Sequence, residues 1–278
     1  MKIAFIGGGN MAAALIAGLA GKLTPGANIH VVDPNPASLE KLTREYGVAV
    51  AATAGAEVAG AEVIVLAVKP QVMRDVVAQV LPQLQAAQQA GRTPLVLSIA
   101  AGIRAADLSR WLGGYSAIVR TMPNTPALIG MGVTGMVASS GVTAQQRDAA
   151  DQIMKAVGTT VWLDNESLID PVTAVSGSGP AYVFYFIEAM QQAAVEMGLT
   201  AEQGTQLAIA TFTGAAQLAA QSPDPVSVLR ERVTSKGGTT YAALTSMEDS
   251  GVKPAIVKAL HAAAARGKEL GEQLGAAD

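Results

Sequence analysis

Five short runs, KIAFI (2–6), IHVVD (29–33), VIVLAV (63–68), LVLSIA (95–100) and AIVRTM (117–122), are apolar almost throughout. A strand with one face in water alternates apolar and polar residues. Runs without that alternation fit strands of a parallel sheet covered on both faces. Segments of helical length follow the first four: NMAAALIAGLAGK, PASLEKLTREYG, PQVMRDVVAQVLPQLQ and IRAADLSRWLGG. Strands and helices in this order join through right-handed crossovers, which predicts a doubly wound α/β domain. VTGMVAS and TTVWLD, separated by the helical stretch TAQQRDAADQIMKAVG, extend the sheet and carry this domain to residue 163.

After Asp164 the strand runs stop, and residues 164–278 read as four or five helices. In the last of them Ile256, Leu260, Ala263, Gly267, Leu270 and Leu274 step by threes and fours into one apolar stripe. The helix expected over 181–197 carries Val183, Phe184, Phe186, Ile187, Met190, Ala194 and Met197, apolar over more than one face. A tail of this length supplies too few neighbours to cover such a helix, so a second copy of the chain is expected to do so, as a homodimer.

Half of the residues are apolar and 15% are charged, the balance of a folded globular protein. A net charge of −3 with no basic tract argues against nucleic acid or an acidic membrane as the main partner. With no cysteine, disulfides, thiolate metal sites and a thiol nucleophile are excluded, and a reducing cytoplasm is compatible. His30 and His261 stand too far apart to suggest a metal site, and no metal is expected. The first residues, MKIAFIGGGNMAAALIAGLAGK, superficially resemble a secretory leader, but three glycines and Asn10 would break its helix at the centre, so export is not expected. Glu57 and Glu62 likewise argue against a bilayer span in the apolar stretch before residue 69.

FIGGGNMA sets Gly7-x-Gly9-x-x-Ala12 directly after a strand and before a helix. The first glycine permits a tight turn, the second lets a pyrophosphate approach the backbone, and Ala12 allows close helix–strand packing. The helix start then offers N–H groups and a positive dipole end to the phosphates. This is the fingerprint of a Rossmann-type dinucleotide-binding sheet. Asp33, ending the second strand, suits the ribose hydroxyls and repels a 2′-phosphate, which favours NAD(H). No Arg or Lys follows within DPNPAS, although Asn35 could bond that phosphate, so NADP(H) stays open.

Further motifs end the next strands, on the edge where open α/β sheets hold ligands. AVKP (67–70) brings Lys69, which either faces a ligand or is a solvated loop lysine. SIAAG (98–102) and RTMPNTPA (120–127) follow, and Asn124 between two prolines either bonds a nicotinamide amide or caps the turn. AVSGSGPAYVFYF (174–186) places Ser176 in a small, uncharged turn before Pro180, a surface on which a flat cofactor ring could lie. TSKGGTTYAAL (234–244) reads as a hydroxyl-rich helix start able to hold an anion.

In this order FIGGGNMA, AVKP, SIAAG, RTMPNTPA, SGSGPAYVF and TSKGGTT resemble pyrroline-5-carboxylate reductase, the enzyme of the last step of proline biosynthesis. The resemblance implies a nucleotide-binding α/β domain followed by a helical dimerisation and substrate-binding domain that interlocks with a partner, with dimers sometimes assembled into decamers. It implies that Gly7, Gly9, Asn10 and Met11 hold the pyrophosphate and that Ala67, Val68, Lys69 and Pro70 lie along the cofactor. Ile99, Ala100, Ala101 and Asn124 would continue toward the nicotinamide. The anion becomes the carboxylate of a cyclic imino acid, bound by Ser235 and the N–H groups of Gly238 and Thr239, with the Thr240 hydroxyl facing the ring nitrogen. Two positions depart from the family pattern: Lys236 where many relatives have proline, and Asp33 where NADP-using relatives have a small hydroxyl or Asn.

The residues support an imine independently. Reducing a ketone leaves an alkoxide that needs a proton from His, Lys or Tyr. Neither histidine ends a strand, and the two hydroxyl-rich turns contain no obvious acid. An imine that arrives protonated needs little proton chemistry, and holding the reactants together is worth roughly 7–11 kcal/mol. The competing readings are a hydroxy-acid dehydrogenase with Lys69 as proton donor, and a nucleotide-sensing dimer without catalysis.

Overall fold

The computed structural model describes residues 1–276. Eight strands form one sheet: β1 (Ile3–Ile6), β2 (Ile29–Val32), β3 (Ala49–Ala51), β4 (Val63–Leu66), β5 (Leu95–Ser98), β6 (Ile118–Met122), β7 (Gly132–Ala138) and β8 (Gly158–Trp162). Their order is β3-β2-β1-β4-β5-β6-β7-β8, parallel from β3 to β6, with β7 antiparallel to β6 and β8 parallel to β7. The chain leaves β1 to one side for β2 and returns to its other side for β4. That makes the carboxyl edge between β1 and β4 the topological switch point, where ligands of such sheets bind.

Six helices accompany the strands: α1 (Asn10–Leu19), α2 (Pro36–Tyr46), α3 (Ala56–Ala59), α4 (Met73–Gln89), α5 (Ala105–Trp111) and α6 (Ala144–Lys155). Every residue of β1, β4 and β5 is buried, as their unbroken apolar character predicts. The side chains divide into two cores. Ile3, Phe5, Val63 and Val65 pack with Leu15, Ile16 and Ile153, whereas Ala4, Ile6, Ile64 and Leu66 pack with Val77, Leu84 and Leu108. Period-two alternation along each strand thus feeds two apolar layers.

The later helices are α7 (Ile169–Val172), α8 (Gly179–Glu196), α9 (Ala201–Gln221), α10 (Val226–Arg232), α11 (Thr239–Asp249) and α12 (Val252–Ala276). By compactness the chain forms two units: Met1–Ser178 together with the end of α12 from Ala263, and Gly179–Ala262. Residue 163, where the strand pattern ends, lies inside the first unit. Two contacts explain this. Glu166 accepts from the buried Arg120 guanidinium of β6 at 2.8 Å and from the Ala105 N–H at 2.7 Å. Arg110 donates to the Gly275 carbonyl at 2.7 Å, drawing the end of α12 onto α5.

In the second unit α8 and α9 pack closely. A Cβ added to Gly204 would fall 2.9 Å from the Ala194 Cβ, so the crossing depends on two small residues. Phe186 and Phe212 meet with ring centroids 6.4 Å apart, and α9 opens with a reciprocal capping box between Thr200 and Gln203. Much of α8 has no cover within the chain: Phe184 is 61% exposed and Tyr185 72%, and Met197, just beyond its end, is 77% exposed. Among the described residues, no helix is long and apolar enough to cross a membrane.

Candidate functional site: a dinucleotide cradle and a hydroxyl-lined helix start

Gly7 follows β1 with φ +104°, and its N–H bonds the Val32 carbonyl at 2.8 Å. A Cβ there would lie 2.5 Å from the Ala67 carbonyl oxygen, so the turn is closed to every side chain. Gly9 caps α1, and a Cβ built on it would project into open space. Its lack of a side chain is therefore not a packing need of the chain; it leaves room over the helix start. The first bond within α1 runs from the Ala13 N–H to the Gly9 carbonyl, which leaves the N–H groups of Asn10, Met11 and Ala12 without helical partners. Ala12 itself is buried against the sheet. Orphan donors, an exposed glycine and the helix dipole together fit a pyrophosphate.

Asp33 stands directly after β2. Its Oδ2 accepts from the Gly8 N–H at 2.7 Å and its Oδ1 from the Asn35 N–H at 2.8 Å. The carboxylate is thereby locked against the glycine turn, where an adenosine ribose would lie. Asn35 caps α2, its Oδ1 accepting from the Ala37 N–H at 3.1 Å. Pro36 opens α2 without an N–H, and the first basic residue along the helix is Lys41.

Along the same edge, Ala67 bonds back to the Ile6 carbonyl and, with Val68, flanks Gly7. Lys69 is exposed, and Pro70 opens a short 3₁₀ turn ahead of α4. Ile99 is half-buried and Ala101 exposed, whereas Ala100 is 4% exposed and packs into the core, so only its backbone is on offer to a ligand. Asn124 is buried after β6. Ser176 falls in a π-helical turn, Thr173–Gly177, not in the open Ser/Gly loop that its sequence suggests. The Ser176 hydroxyl bonds the Val172 carbonyl at 3.0 Å. The turn lies beyond α7, and Pro180 then sits in the first turn of α8.

The second unit contains the other expected site. Gly237 takes φ +73°, Gly238 caps α11 with no side-chain bond, and α11 begins at Thr239. The Gly238 N–H closes the turn onto the Ser235 carbonyl at 3.0 Å, so it is engaged within the chain. The first helical bond is Ala242 N–H to Gly238 carbonyl, which leaves the N–H groups of Thr239, Thr240 and Tyr241 as the orphan donors. Ser235, Lys236 and Thr239 are exposed, and Thr240 is half-buried. Thr234 instead closes α10, its hydroxyl donating to the Arg230 carbonyl at 2.6 Å.

The unit also has an apolar cavity of about 370 Å³, lined by Tyr182, Tyr185, Phe186, Val252, Ile256 and Leu260 among others. A larger cavity, about 660 Å³, opens at the amino ends of β4 and β5 beside Arg92 and Gln146, away from the cradle. No group of three or more His, Cys, Asp or Glu residues placed to hold a metal occurs among the described residues.

Known proteins match this chain over nearly its full length. The family described as "Pyrroline-5-carboxylate reductase dimerisation" matches residues 166–270, and that described as "NADP oxidoreductase coenzyme F420-dependent" matches residues 2–102. A pyrroline-5-carboxylate reductase of Pseudomonas aeruginosa is 46% identical over 274 residues, covering 99% of this chain and 98% of the relative. Among solved structures, a pyrroline-5-carboxylate reductase from Coxiella burnetii superposes with a TM-score of 0.90 at 38% identity, over 97% of this chain and 98% of that one. The Plasmodium falciparum pyrroline carboxylate reductase, solved with NADP bound, gives 0.83 at 28% identity over 98% of both chains.

Proposed function

Because this chain belongs to the pyrroline-5-carboxylate reductase family, we propose that its two sites serve that reaction: reduction of the cyclic imine 1-pyrroline-5-carboxylate to L-proline with NADH or NADPH. The observation that carries this reading is a dinucleotide cradle followed, in the same chain, by a helix start lined with hydroxyls and free of carboxylates. Residues 164–278, which include the span matched as a dimerisation family, are assigned to dimerisation and substrate binding, and residues 1–163 to the dinucleotide.

Gly7, Gly9 and the N–H groups of Asn10, Met11 and Ala12 hold the pyrophosphate, and Asp33 takes the adenosine ribose. Ala67, Val68, Pro70, Ile99 and the backbone of Ala100 and Ala101 would follow the cofactor toward its nicotinamide, which Ser176 would flank. When bound, the reduced dinucleotide supplies a hydride to the imine carbon. The Thr239 and Thr240 N–H groups and the Ser235 hydroxyl bind the substrate carboxylate, each charge-assisted bond contributing about 1.5–3 kcal/mol. Lys236 adds positive charge beside it. The Thr240 hydroxyl orients the ring N–H of the protonated imine. After the carbon–hydrogen bond forms, the C=N π pair returns to nitrogen, which already carries its proton, and L-proline leaves as a secondary amine.

Asp33, with no cation placed in the first turn of α2, supports a preference for NADH. The working form is a homodimer, and larger rings such as decamers are built from such dimers. A chain without cysteine suits the cytoplasm. Adding 1-pyrroline-5-carboxylate to the protein with NADH or NADPH should bleach the reduced-nicotinamide absorbance and yield one L-proline per cofactor consumed. A protein that binds the dinucleotide but leaves that absorbance constant is a nucleotide sensor, not a reductase.

A further inference from the structure

Asn124 follows β6 and is 8% exposed. Its carboxamide is engaged at both ends: Oδ1 accepts from the Val133 N–H at 2.9 Å, and Nδ2 donates to the Ser176 carbonyl at 3.1 Å. One side chain therefore ties the end of β6 to β7 and to the π turn at Thr173–Gly177. The choice of acceptor has a chemical reason. In α-helical register the Ser176 carbonyl would receive the N–H of residue 180, but that residue is proline and has none. The turn instead bonds in wider register, Ser178 N–H to Thr173 carbonyl at 2.8 Å. Asn124 supplies the donor that Pro180 lacks. The turn is also pressed against β6, since a Cβ on Gly177 would lie 2.5 Å from Met122 Cε.

Along the sheet's carboxyl edge, Asp33 marks the adenosine end after β2, and Ala67, Ile99 and Asn124 follow after β4, β5 and β6 in spatial order. A dinucleotide with its pyrophosphate on the Gly7–Gly9 turn and its adenosine at Asp33 would extend its nicotinamide half past β4 and β5 toward β6. We infer that Asn124 is a positioning residue: it sets the Thr173–Gly177 turn against which the nicotinamide ring lies, and does not itself bond the cofactor. This rests on the reductase reading above.

Asn124→Asp tests it, because the new side chain keeps the acceptor for Val133 but sets an oxygen against the Ser176 carbonyl. At pH 8 its kcat should fall about tenfold or more, the scale of a misplaced reacting group. Affinity for NADH should weaken several-fold, while affinity for ADP-ribose, which lacks the nicotinamide, stays within about twofold. Protonating the introduced carboxyl restores a donor, so the ratio of variant to wild-type kcat should rise as the pH falls. Gly177→Val disturbs the turn while the Asn124 carboxamide stays whole. It should show the same selective loss, partly recovered by adding Met122→Ala, and it carries the test if Asn124→Asp does not fold. An Asn124→Asp enzyme with wild-type kcat overturns the inference. So does equal weakening toward ADP-ribose and NADH, or a Gly177→Val enzyme with unchanged kcat, which would assign any Asn124 effect to direct contact. The NADH and ADP-ribose titrations need no turnover, so they still judge Asn124 if wild-type protein fails to reduce the imine and the reductase reading falls.

Discussion

At the scale of single residues, Asp33 carries the largest consequence for its size. Its carboxylate is fixed by two backbone N–H groups, one from the glycine turn itself, so in the proposed cofactor site it could not swing away from a 2′-phosphate. Two charges about 4 Å apart near a protein surface repel by roughly 4 kcal/mol before salt screens them. Even a third of that is about tenfold in specificity. The kcat/KM ratio should favour NADH, and Asp33→Ser should shift it toward NADPH by about tenfold or more; initial rates at low cofactor concentration measure both, and an unmoved ratio would remove Asp33 as the selector. Thr240→Ala should lower kcat by about tenfold by leaving the ring N–H unoriented, and Ser235→Ala should raise KM more than it lowers kcat, as loss of a ground-state contact does. The tight turn at Gly7, the open position of Gly9 and the place of Asp33 directly after β2 were legible in the sequence, because each follows from backbone conformation or a strand end at a fixed spacing. Asn124 stood out in the sequence between its two prolines, but its partners did not, since they lie 9 and 52 residues away, and only the folded sheet brings them to one amide. Nor could the sequence tell that the Gly238 N–H turns back onto Ser235, because the choice between turn closure and ligand depends on the φ of Gly237.

At the scale of elements, the parallel strands were legible because burial on both faces leaves an unbroken apolar run. β3 was not: it has three residues, two of them exposed, and two of the three are alanine. The direction of β7 was hidden as well, since VTGMVAS reads alike in a parallel or antiparallel ladder; the short 3₁₀ segment Thr125–Ile129 reverses the chain before it. His30 shows what such a sheet costs a polar side chain. It lies on β2 with both ring nitrogens buried and without hydrogen-bond partners, and burial holds its pKa below the ordinary 6.5, against an opposing pull from Glu57 on α3. In the unfolded chain the ring takes up a proton near 6.5, whereas in the fold it does so only at lower pH. The unfolded state thus binds more protons in that window, and stability is lost as the pH falls below 6.5 toward the folded pKa. Urea unfolding of wild type between pH 7.5 and 5.5 should show this slope, and His30→Phe should flatten it. Equal slopes in the two proteins would show that the imidazole charges equally in both states.

At the scale of the whole molecule, the question is what covers the second unit. Phe184 and Tyr185 on α8, Leu218 on α9, Val226 on α10 and Tyr241 on α11 are all exposed within one chain, more apolar surface than isolated side chains on a monomer account for. The match to a dimerisation family over 166–270 supports oligomerisation, and a second copy is the proposed occupant, an expectation drawn from the apolar faces of the 181–197 helix, to which Phe184 belongs. In the proposed two-fold dimer every substitution counts twice, once on each subunit. Burying a phenylalanine contributes about 1.5–3 kcal/mol. Replacing Phe184 by a charged residue therefore removes about 4 kcal/mol across the pair, roughly a thousandfold in the dissociation constant. Phe184→Glu should accordingly sediment as a monomer at low micromolar concentration where wild type stays associated. The nucleotide unit folds around its own two cores, so the variant should keep its ADP-ribose affinity while its turnover falls if the substrate turn needs the dimer for support. A variant that sediments like wild type would show that Phe184 faces water in the assembly, and that the second copy is held through the surfaces of α9 to α11 instead.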